Sequence, residues 1–162
     1  MSEGLEELLE LLTLQDNSQA YRALKALEEM SAEDNCLYPH MDEFIAMTGS
    51  SNSYIRTRGL AMIAHNAKWD ADGKIDGIID EYLEHITDEK PICARRCIKL
   101  LPLIAKAKPA LAPKIVSALR DANVACYPDS MRPLVQKDIR DSLLAIECYI
   151  ARQRAELIVD SL

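Results

Sequence analysis

Apolar residues recur along most of the chain at intervals of three and four positions, the spacing of an amphipathic α-helix. The clearest example covers residues 75–86. Its apolar positions fall on one helical stripe and are Ile75, Ile78, Ile79, Tyr82, Leu83 and Ile86. The opposite face carries carboxylates, namely Asp76, Asp80, Glu81 and Glu84. The pattern predicts helices that bury one face and expose the other.

Helix-boundary residues divide the chain into eight predicted helices. Asn17 and Asn52 stand where N-cap residues belong, and Pro91 falls in a first turn, where its missing N–H costs least. Pro102 lies inside a predicted helix, where we expect a kink rather than a break. The predicted helices span 2–13, 18–31, 39–48, 52–68, 73–87, 91–107, 109–120 and 131–150, with a tail at 152–160 that can continue the last one.

The composition agrees with an all-α fold. The 162 residues include five Gly, one Phe and one Trp, whereas aromatic and β-branched strands with glycine-rich turns need many more of these residues. The chain is long enough to bury a core without disulfides or metals, and we expect a single domain over residues 1–162.

A comparison of the chain with itself reveals a repeat. A shift of 38 residues keeps chemically similar residues aligned through two helices and the turn between them. The aligned pairs are Asp42 with Asp80, Phe44 with Tyr82, Ile45 with Leu83, Arg58 with Arg96, Gly59 with Cys97, Leu60 with Ile98, Ile63 with Leu101 and Ala67 with Ala105. A period near 40 residues with two helices per unit is typical of HEAT and armadillo proteins.

The second helix of each unit also resembles the HEAT pattern, in which an Arg is followed by small and apolar residues. Residues 55–61 are IRTRGLA and residues 92–98 are ICARRCI. The resemblance covers residues 39–150 and implies a right-handed α–α superhelix of about four helix pairs. These pairs are expected near 2–31, 39–68, 73–107 and 109–150, with a C-terminal tail at 151–162.

Two longer segments resemble a family of small bacterial HEAT-like proteins. They are RTRGLAMIAHNAKWD at 56–70 and KPICARRCIKLLPLIAK at 90–106. Members of this family sometimes carry the label SufBD, after iron–sulfur cluster assembly proteins. That label implies a cluster scaffold built on a β-helix, which a helical sequence contradicts.

The net charge and the first residues of the sequence argue against several classes of function. The formal charge is −7, which disfavours attraction of the whole molecule to nucleic acid or to an anionic membrane. No apolar run reaches the roughly 18 residues of a transmembrane helix. The first residues are acidic where a signal peptide is basic, so we expect a cytoplasmic protein with five reduced cysteines.

The charges are strongly segregated along the chain. Residues 1–50 contain 11 acidic and 2 basic residues, whereas residues 51–162 contain 15 acidic and 17 basic ones. Residues 70–89 contain eight acids and one lysine, and residues 90–120 contain eight bases and no acid. In HEAT-like solenoids the second helices form the concave face, so the resemblance implies a partly basic groove.

A helical wheel of residues 91–107 separates an apolar face from a cationic one. The apolar face contains Cys93, Cys97, Leu100, Leu101 and Ile104. Arg95, Lys99 and Lys106 fall on the opposite side, and Arg56 and Lys68 are candidates to extend this stripe. The stripe is either a solvated helix face or a binding surface for an acidic peptide, a phosphate or a nucleic-acid backbone.

Arg58 and Arg96 flank the core face of their helices instead. An Arg at such a position can bridge to an acid in the turn of its own or a neighbouring repeat. Asp88 is a near acid in sequence for Arg96. We therefore expect Arg58, Arg96 and Asp88 to form a structural ladder.

The sequence lacks the common signatures of catalysis. Neither a phosphate-binding glycine motif nor an HExxH motif occurs, and we expect no cofactor. Cys93 and Cys97, spaced i, i+4, could hold a metal or form a redox pair, but both fall on the apolar stripe and are predicted to be core residues rather than metal ligands. Trp69 and Asp70 match residue types that some HEAT-like alkyl-base DNA glycosylases use, although a turn position favours a capping role for Asp70.

These observations predict a non-enzymatic protein-interaction scaffold. A shallow basic groove suits an acidic macromolecular partner, which can be another protein or a second copy of this chain. The alternative is a HEAT-like nucleic-acid-binding protein or an alkyl-base DNA glycosylase.

Overall fold

A computed structural model describes the backbone of residues 2–162 and the side chains from Gly4 onward. In this part of the chain the secondary structure consists of eight α-helices and five 3-10 helices, without a β-strand. The α-helices are α1 (Ser2–Leu11), α2 (Asn17–Glu33), α3 (Met41–Met47), α4 (Ser53–His65), α5 (Lys74–Glu84), α6 (Pro91–Ala107), α7 (Ala112–Asp121) and α8 (Arg132–Asp160). The predictions of an all-α fold and of eight helices are confirmed.

Short 3-10 helices occupy the connections. Two predicted helices are shorter than expected because their last turn is 3-10. The 3-10 segments are Tyr38–His40, Ala67–Trp69, His85–Thr87, Pro109–Leu111 and Val124–Cys126. No helix among residues 2–162 combines the length and the apolarity that a bilayer crossing requires.

The chain divides into two compact units, with the boundary between Tyr82 and Leu83. In the first unit, α4 packs against α2 and α3, and α1 packs against α2. Its largest fully buried side chains include Leu12, Leu27, Leu37, Phe44, Met62, Ile63 and Ile75.

In the second unit, α6 is the central element and packs against α7, α8 and the 3-10 turn His85–Thr87. The apolar face predicted for α6 is buried, as expected from its period. The core of this unit contains Cys93, Cys97, Leu100, Leu101, Ile104, Ile115, Val135 and Ile146.

Side-chain caps fix the start of two helices. Asn52 caps α4 as predicted. The helix α2, however, is capped by Asp16, whose carboxylate accepts hydrogen bonds from two N–H groups of the first turn. The prediction of Asn17 as this cap is wrong, because its side-chain oxygen accepts a hydrogen bond from Nη2 of Arg58 at 2.7 Å. The two side chains are adjacent and chemically similar, so the sequence alone did not distinguish them.

A glycine allows α3 and α4 to approach each other closely. Gly59 is buried in the middle of α4. A Cβ atom at this position would lie 2.8 Å from Cβ of Met47 and 2.8 Å from the carbonyl oxygen of Phe44. Both distances are shorter than a normal non-bonded contact, so this helix pair requires glycine here.

The helix α6 continues through Pro102, whose missing N–H leaves the carbonyl of Ile98 without its usual donor. A side chain of α8 replaces that donor, because the hydroxyl of Ser142 donates to the Ile98 carbonyl at 2.8 Å. Ile98 and Ser142 are both buried, so the carbonyl of Ile98 lies away from bulk solvent, where an unmet hydrogen bond is costly. The hydrogen bond joins α6 to α8 at the point where α6 is internally weakest.

We expect the substitution Ser142→Ala to lower the free energy of unfolding by about 1–2 kcal/mol, because it leaves a buried carbonyl without a donor. The substitution Pro102→Ala restores a main-chain N–H within reach of that carbonyl, so Ser142→Ala should cost at least about 0.5 kcal/mol less in the Pro102→Ala background. Urea denaturation of the wild type, both single variants and the double variant measures this coupling. An equal cost in both backgrounds would contradict it.

The last helix is longer than the predicted segment 131–150, because the tail continues it to Asp160. Beyond Ile150 most of its residues are exposed. Leu157, Ile158 and Val159 are each more than 60% exposed, at 69%, 62% and 67%. Three consecutive exposed apolar side chains are more typical of a contact surface than of a solvated helix.

Candidate functional site: the cationic edge of α6

Arg95, Lys99 and Lys106 are here named the cationic edge of α6. The structure brings them to the side of α6 along which α8 runs, where the carboxylate of Asp138 lies. Asp138 is buried, with a side chain only 5% exposed. A buried carboxylate requires a cationic or hydrogen-bonding partner, and the cationic edge supplies it.

Arg95 makes the closest contact with this carboxylate. Its Nε donates to Oδ2 of Asp138 at 2.6 Å, and Nη2 lies 3.4 Å from Oδ1. This hydrogen bond raises the pKa of the Arg95 guanidinium. Arg95, expected on an exposed cationic stripe, is in fact partly buried and binds Asp138 of α8.

Lys99 and Lys106, unlike Arg95, are exposed to solvent as expected for the cationic stripe. Lys99 is 52% exposed, and its Nζ lies 3.9 Å from Oδ1 of Asp138, at the limit of an ion pair. Lys106 is exposed, and its Nζ lies 5.4 Å from the centre of the Tyr149 ring. Both ammonium groups are accessible to an external anion.

Arg56 does not extend this edge. It is buried, and its Nη1 donates to the carbonyl oxygens of Ser50 and Ser51 at 3.0 and 3.2 Å. The expectation that Arg56 faces a partner is wrong, because the guanidinium closes the loop before α4. Lys68 is exposed, but its Nζ donates to the Ala32 carbonyl at 2.8 Å.

Arg58 is buried, but the acceptors that the structure gives its guanidinium are not the acids that the expected ladder requires. Its Nη1 donates to the carbonyls of Leu12 and Leu14 at 2.8 and 3.1 Å, and Nη2 donates to Asn17. All three acceptors lie in or beside the turn between α1 and α2. Burial lowers the pKa of the Arg58 guanidinium. One buried cation thus fixes the position of α4 on the first helix pair.

Asp88 and Arg96 are the other two members of the expected ladder. Asp88 lies just before α6, and Arg96 lies within α6. Asp88 is buried, and Oδ1 accepts a hydrogen bond from the N–H of Lys90 at 2.9 Å. Arg96 is partly buried on α6. A direct bridge between Arg96 and Asp88 stays a prediction.

Asp88 also belongs to a cluster that the sequence analysis missed. Nδ1 of His85 lies 2.9 Å from its Oδ2, and the buried thiol of Cys93 is close to both. Burial raises the pKa of the nearby Cys97 thiol, and Cys93 and Asp88 act in the same direction. The signal in the sequence is the spacing H-x2-D-x4-C, which fits no helical face because it spans a 3-10 turn, a loop and the first turn of α6.

Asp70 and Trp69 are occupied by structural contacts. The Asp70 carboxylate accepts hydrogen bonds from the N–H groups of Lys74 and Ile75 at 3.0 and 2.9 Å, so the predicted cap at the start of α5 is confirmed. It also accepts a hydrogen bond from the hydroxyl of Tyr38 at 2.5 Å. Nε1 of Trp69 donates to the carbonyl of Ser31 at 2.7 Å.

Comparison with known proteins gives no assignment: no family model matches the chain, and no curated protein or solved structure is significantly similar to it.

Proposed function

We propose that this protein is a non-enzymatic interaction module of stacked, HEAT-like helix pairs that binds an acidic protein surface. Support for the repeat comes from burial at the positions related by the 38-residue shift. In seven of the eight aligned pairs the two residues are alike in their exposure to solvent. The exception is Arg58, which is buried, with Arg96, which is half-buried. Asp42 and Asp80 are exposed, Ile45 and Leu83 are half-buried, and the remaining five pairs are buried.

The cationic edge of α6 is the observation that carries the proposal for an acidic partner. Two of its three cations, Arg95 and Lys99, pair with a single carboxylate, that of Asp138, and Lys106 lies over the ring of Tyr149. The edge therefore keeps an excess of two positive charges, and the exposed ammonium groups of Lys99 and Lys106 are free of closer ion pairs in the described part of the chain. An excess of like charge at a surface favours association with a complementary partner and raises its association rate.

A second copy of this chain is one candidate for the acidic partner. Residues 1–50 carry a net charge of −9, which complements the cationic edge of another molecule. This version predicts a dimer that dissociates as salt is added, since screening weakens contacts between exposed charges.

A polyglutamate peptide of about 20 residues tests the cationic edge without knowledge of the natural partner. We expect the wild type to bind it at low salt, and the double variant Lys99→Glu/Lys106→Glu to bind at least about tenfold more weakly. Fluorescence anisotropy of labelled peptide measures the affinity. The double variant Lys25→Glu/Lys137→Glu has the same net charge at positions outside the edge and should bind like the wild type, apart from a small general charge effect.

Two results would contradict this proposal. One is the absence of peptide binding by the wild type at low salt, and the other is an equal loss in the test and control variants.

Duplex DNA offered under the same conditions tests the alternative, a nucleic-acid binder or glycosylase. The three hydrogen bonds accepted by Asp70 argue against this alternative, because a catalytic carboxylate must remain available to its substrate.

A further inference from the structure

A histidine, an aspartate and a cysteine converge where the chain enters α6. His85 lies in the 3-10 turn His85–Thr87, Asp88 in the following loop, and Cys93 in the first turn of α6. One ligand atom of each lies within 4.8 Å of those of the other two. From this convergence we propose that His85, Asp88 and Cys93 bind a divalent transition-metal cation, with Zn²⁺ as the reference ion.

The spacing of the donor atoms suits one ion after a small adjustment. Zinc lies about 2.0–2.3 Å from N, O and S ligands, so ligand atoms around one ion are roughly 3–4 Å apart. Nδ1 of His85 and Oδ2 of Asp88, 2.9 Å apart, already meet this requirement. The remaining separations, which are at most 4.8 Å, need to contract by no more than roughly 1–2 Å. His85 and Asp88 lie before the start of α6. A shift of the segment 85–88 therefore brings their ligand atoms closer to the thiol of Cys93 without breaking α6.

The charges of the cluster also suit a divalent cation. A buried ion requires compensation of its charge, because the protein interior solvates ions poorly. The carboxylate of Asp88 and the thiolate of Cys93 together carry two negative charges, and neutral imidazole adds a third donor. On binding, the S–H bond of Cys93 breaks, its sulfur binds the cation, and the proton passes to solvent.

Further hydrogen bonds orient the carboxylate. The N–H of Lys90 holds Oδ1 of Asp88 at 2.9 Å, and Oδ2 faces His85. The hydroxyl of Tyr127 also donates a hydrogen bond to the main-chain carbonyl of Asp88, at 2.6 Å. Such outer contacts are a regular feature of protein metal sites, where they hold the ligands in position.

The donor types select the class of cation. Thiolate and imidazole favour Zn²⁺ and similar transition metals over Mg²⁺ and Ca²⁺, which prefer oxygen ligands. His85 is 17% exposed, so it gives an ion a route from solvent to the buried thiol. Three protein ligands leave one tetrahedral position open to water or another ligand. The site is independent of the cationic edge and of its proposed partner.

Cobalt titration of the reduced, metal-free protein tests this proposal. Co²⁺ bound by a thiolate produces a charge-transfer absorption band, which reports directly on the Cys93–metal bond. We expect one equivalent of Co²⁺ to bind with this band, and Zn²⁺ to displace it. At a Zn²⁺ concentration about 100 times Kd, the melting temperature should rise by roughly 5–10 °C.

Substitutions identify the ligands. Cys93→Ala should abolish the charge-transfer band, whereas Cys97→Ala, one turn further along the same buried face, should retain it. His85→Gln changes a partly exposed side chain, so the protein should remain folded by circular dichroism while its metal affinity falls at least about tenfold. A variant with Cys36, Cys126 and Cys148 replaced by Ser should bind like the wild type.

The proposal is overturned if the wild type gives no thiolate-to-cobalt band. It is also overturned if Cys93→Ala retains the band, or if His85→Gln, shown to be folded, binds Zn²⁺ as tightly as the wild type. Loss of the band in the variant lacking Cys36, Cys126 and Cys148 would assign the metal to those cysteines instead. None of these results depends on peptide binding by the cationic edge.

Discussion

Replacing Gly59 with Ala should destabilise the protein by about 1–3 kcal/mol, although Ala is normally the better helix former by about 1 kcal/mol. The added Cβ would lie 2.8 Å from the carbonyl oxygen of Phe44 and 2.8 Å from Cβ of Met47, and 3.2 Å from the main-chain nitrogen of Thr48. Two of these atoms belong to the backbone of α3 and its C-terminal cap, so a side-chain rotation cannot relieve the clash. The two helices must move apart, which loosens the surrounding core.

Gly77→Ala is the matched control for this prediction. Gly77 also lies in a helix, α5, but a Cβ there meets no atom within 4 Å. We expect this substitution to stabilise the protein by about 0.5–1 kcal/mol, through helix propensity alone. Urea denaturation followed by far-ultraviolet circular dichroism measures both variants. A stabilised Gly59→Ala protein would contradict the 2.8 Å approach between α3 and position 59 of α4.

The second large effect is expected at Arg58. Truncation to Ala removes the donors of three hydrogen bonds and leaves the carbonyls of Leu12 and Leu14 without this partner. We expect a loss of about 2–4 kcal/mol, because a buried unsatisfied carbonyl costs about 1–3 kcal/mol and the more exposed acceptors can bind water. Arg58→Lys should recover part of this loss, since an ammonium group donates but lacks the planar fork that reaches several acceptors.

Arg22→Ala provides the comparison, because Arg22 is an exposed residue of α2. A surface substitution of this kind should change the free energy of unfolding by less than about 0.5 kcal/mol. Equal, small effects at Arg22 and Arg58 would contradict the buried hydrogen-bond network. Because the chain forms two compact units, both variants should be followed by a probe of the first unit, such as the fluorescence of Trp69.

Local sequence signals sufficed to place the helices. The i, i+3, i+4 spacing of apolar residues and the positions of Asn52, Asp70 and Pro91 located helix starts to within a few residues. These signals act between residues near in sequence, since helical hydrogen bonds join a residue to the fourth one before it. The buried face of α6 was predictable for the same reason, because the period of a helix fixes which side chains share a face.

The candidate sites depended on contacts between distant residues. The wheel placed Arg95 opposite the core of α6, yet Asp138, 43 positions further along the chain, lies beside it. Nothing near Arg95 in sequence indicates that α8 runs along this side. Arg56 was likewise a candidate for the exposed stripe, but its guanidinium donates to the main-chain carbonyls of Ser50 and Ser51. Every residue has a main-chain carbonyl, so the sequence does not indicate which carbonyls an Arg will meet.

The sequence by itself therefore determined the helical class, the order of the helices and the apolar face that α6 buries. The tertiary structure decided which polar groups meet: Arg58 with the turn after α1, Ser142 with the carbonyl freed by Pro102, and Cys93 with His85 and Asp88. The physical reason is that helix formation and amphipathicity follow from neighbours within one turn. The partner of a polar side chain depends instead on how helices rotate and pack against each other, which is set by the whole core.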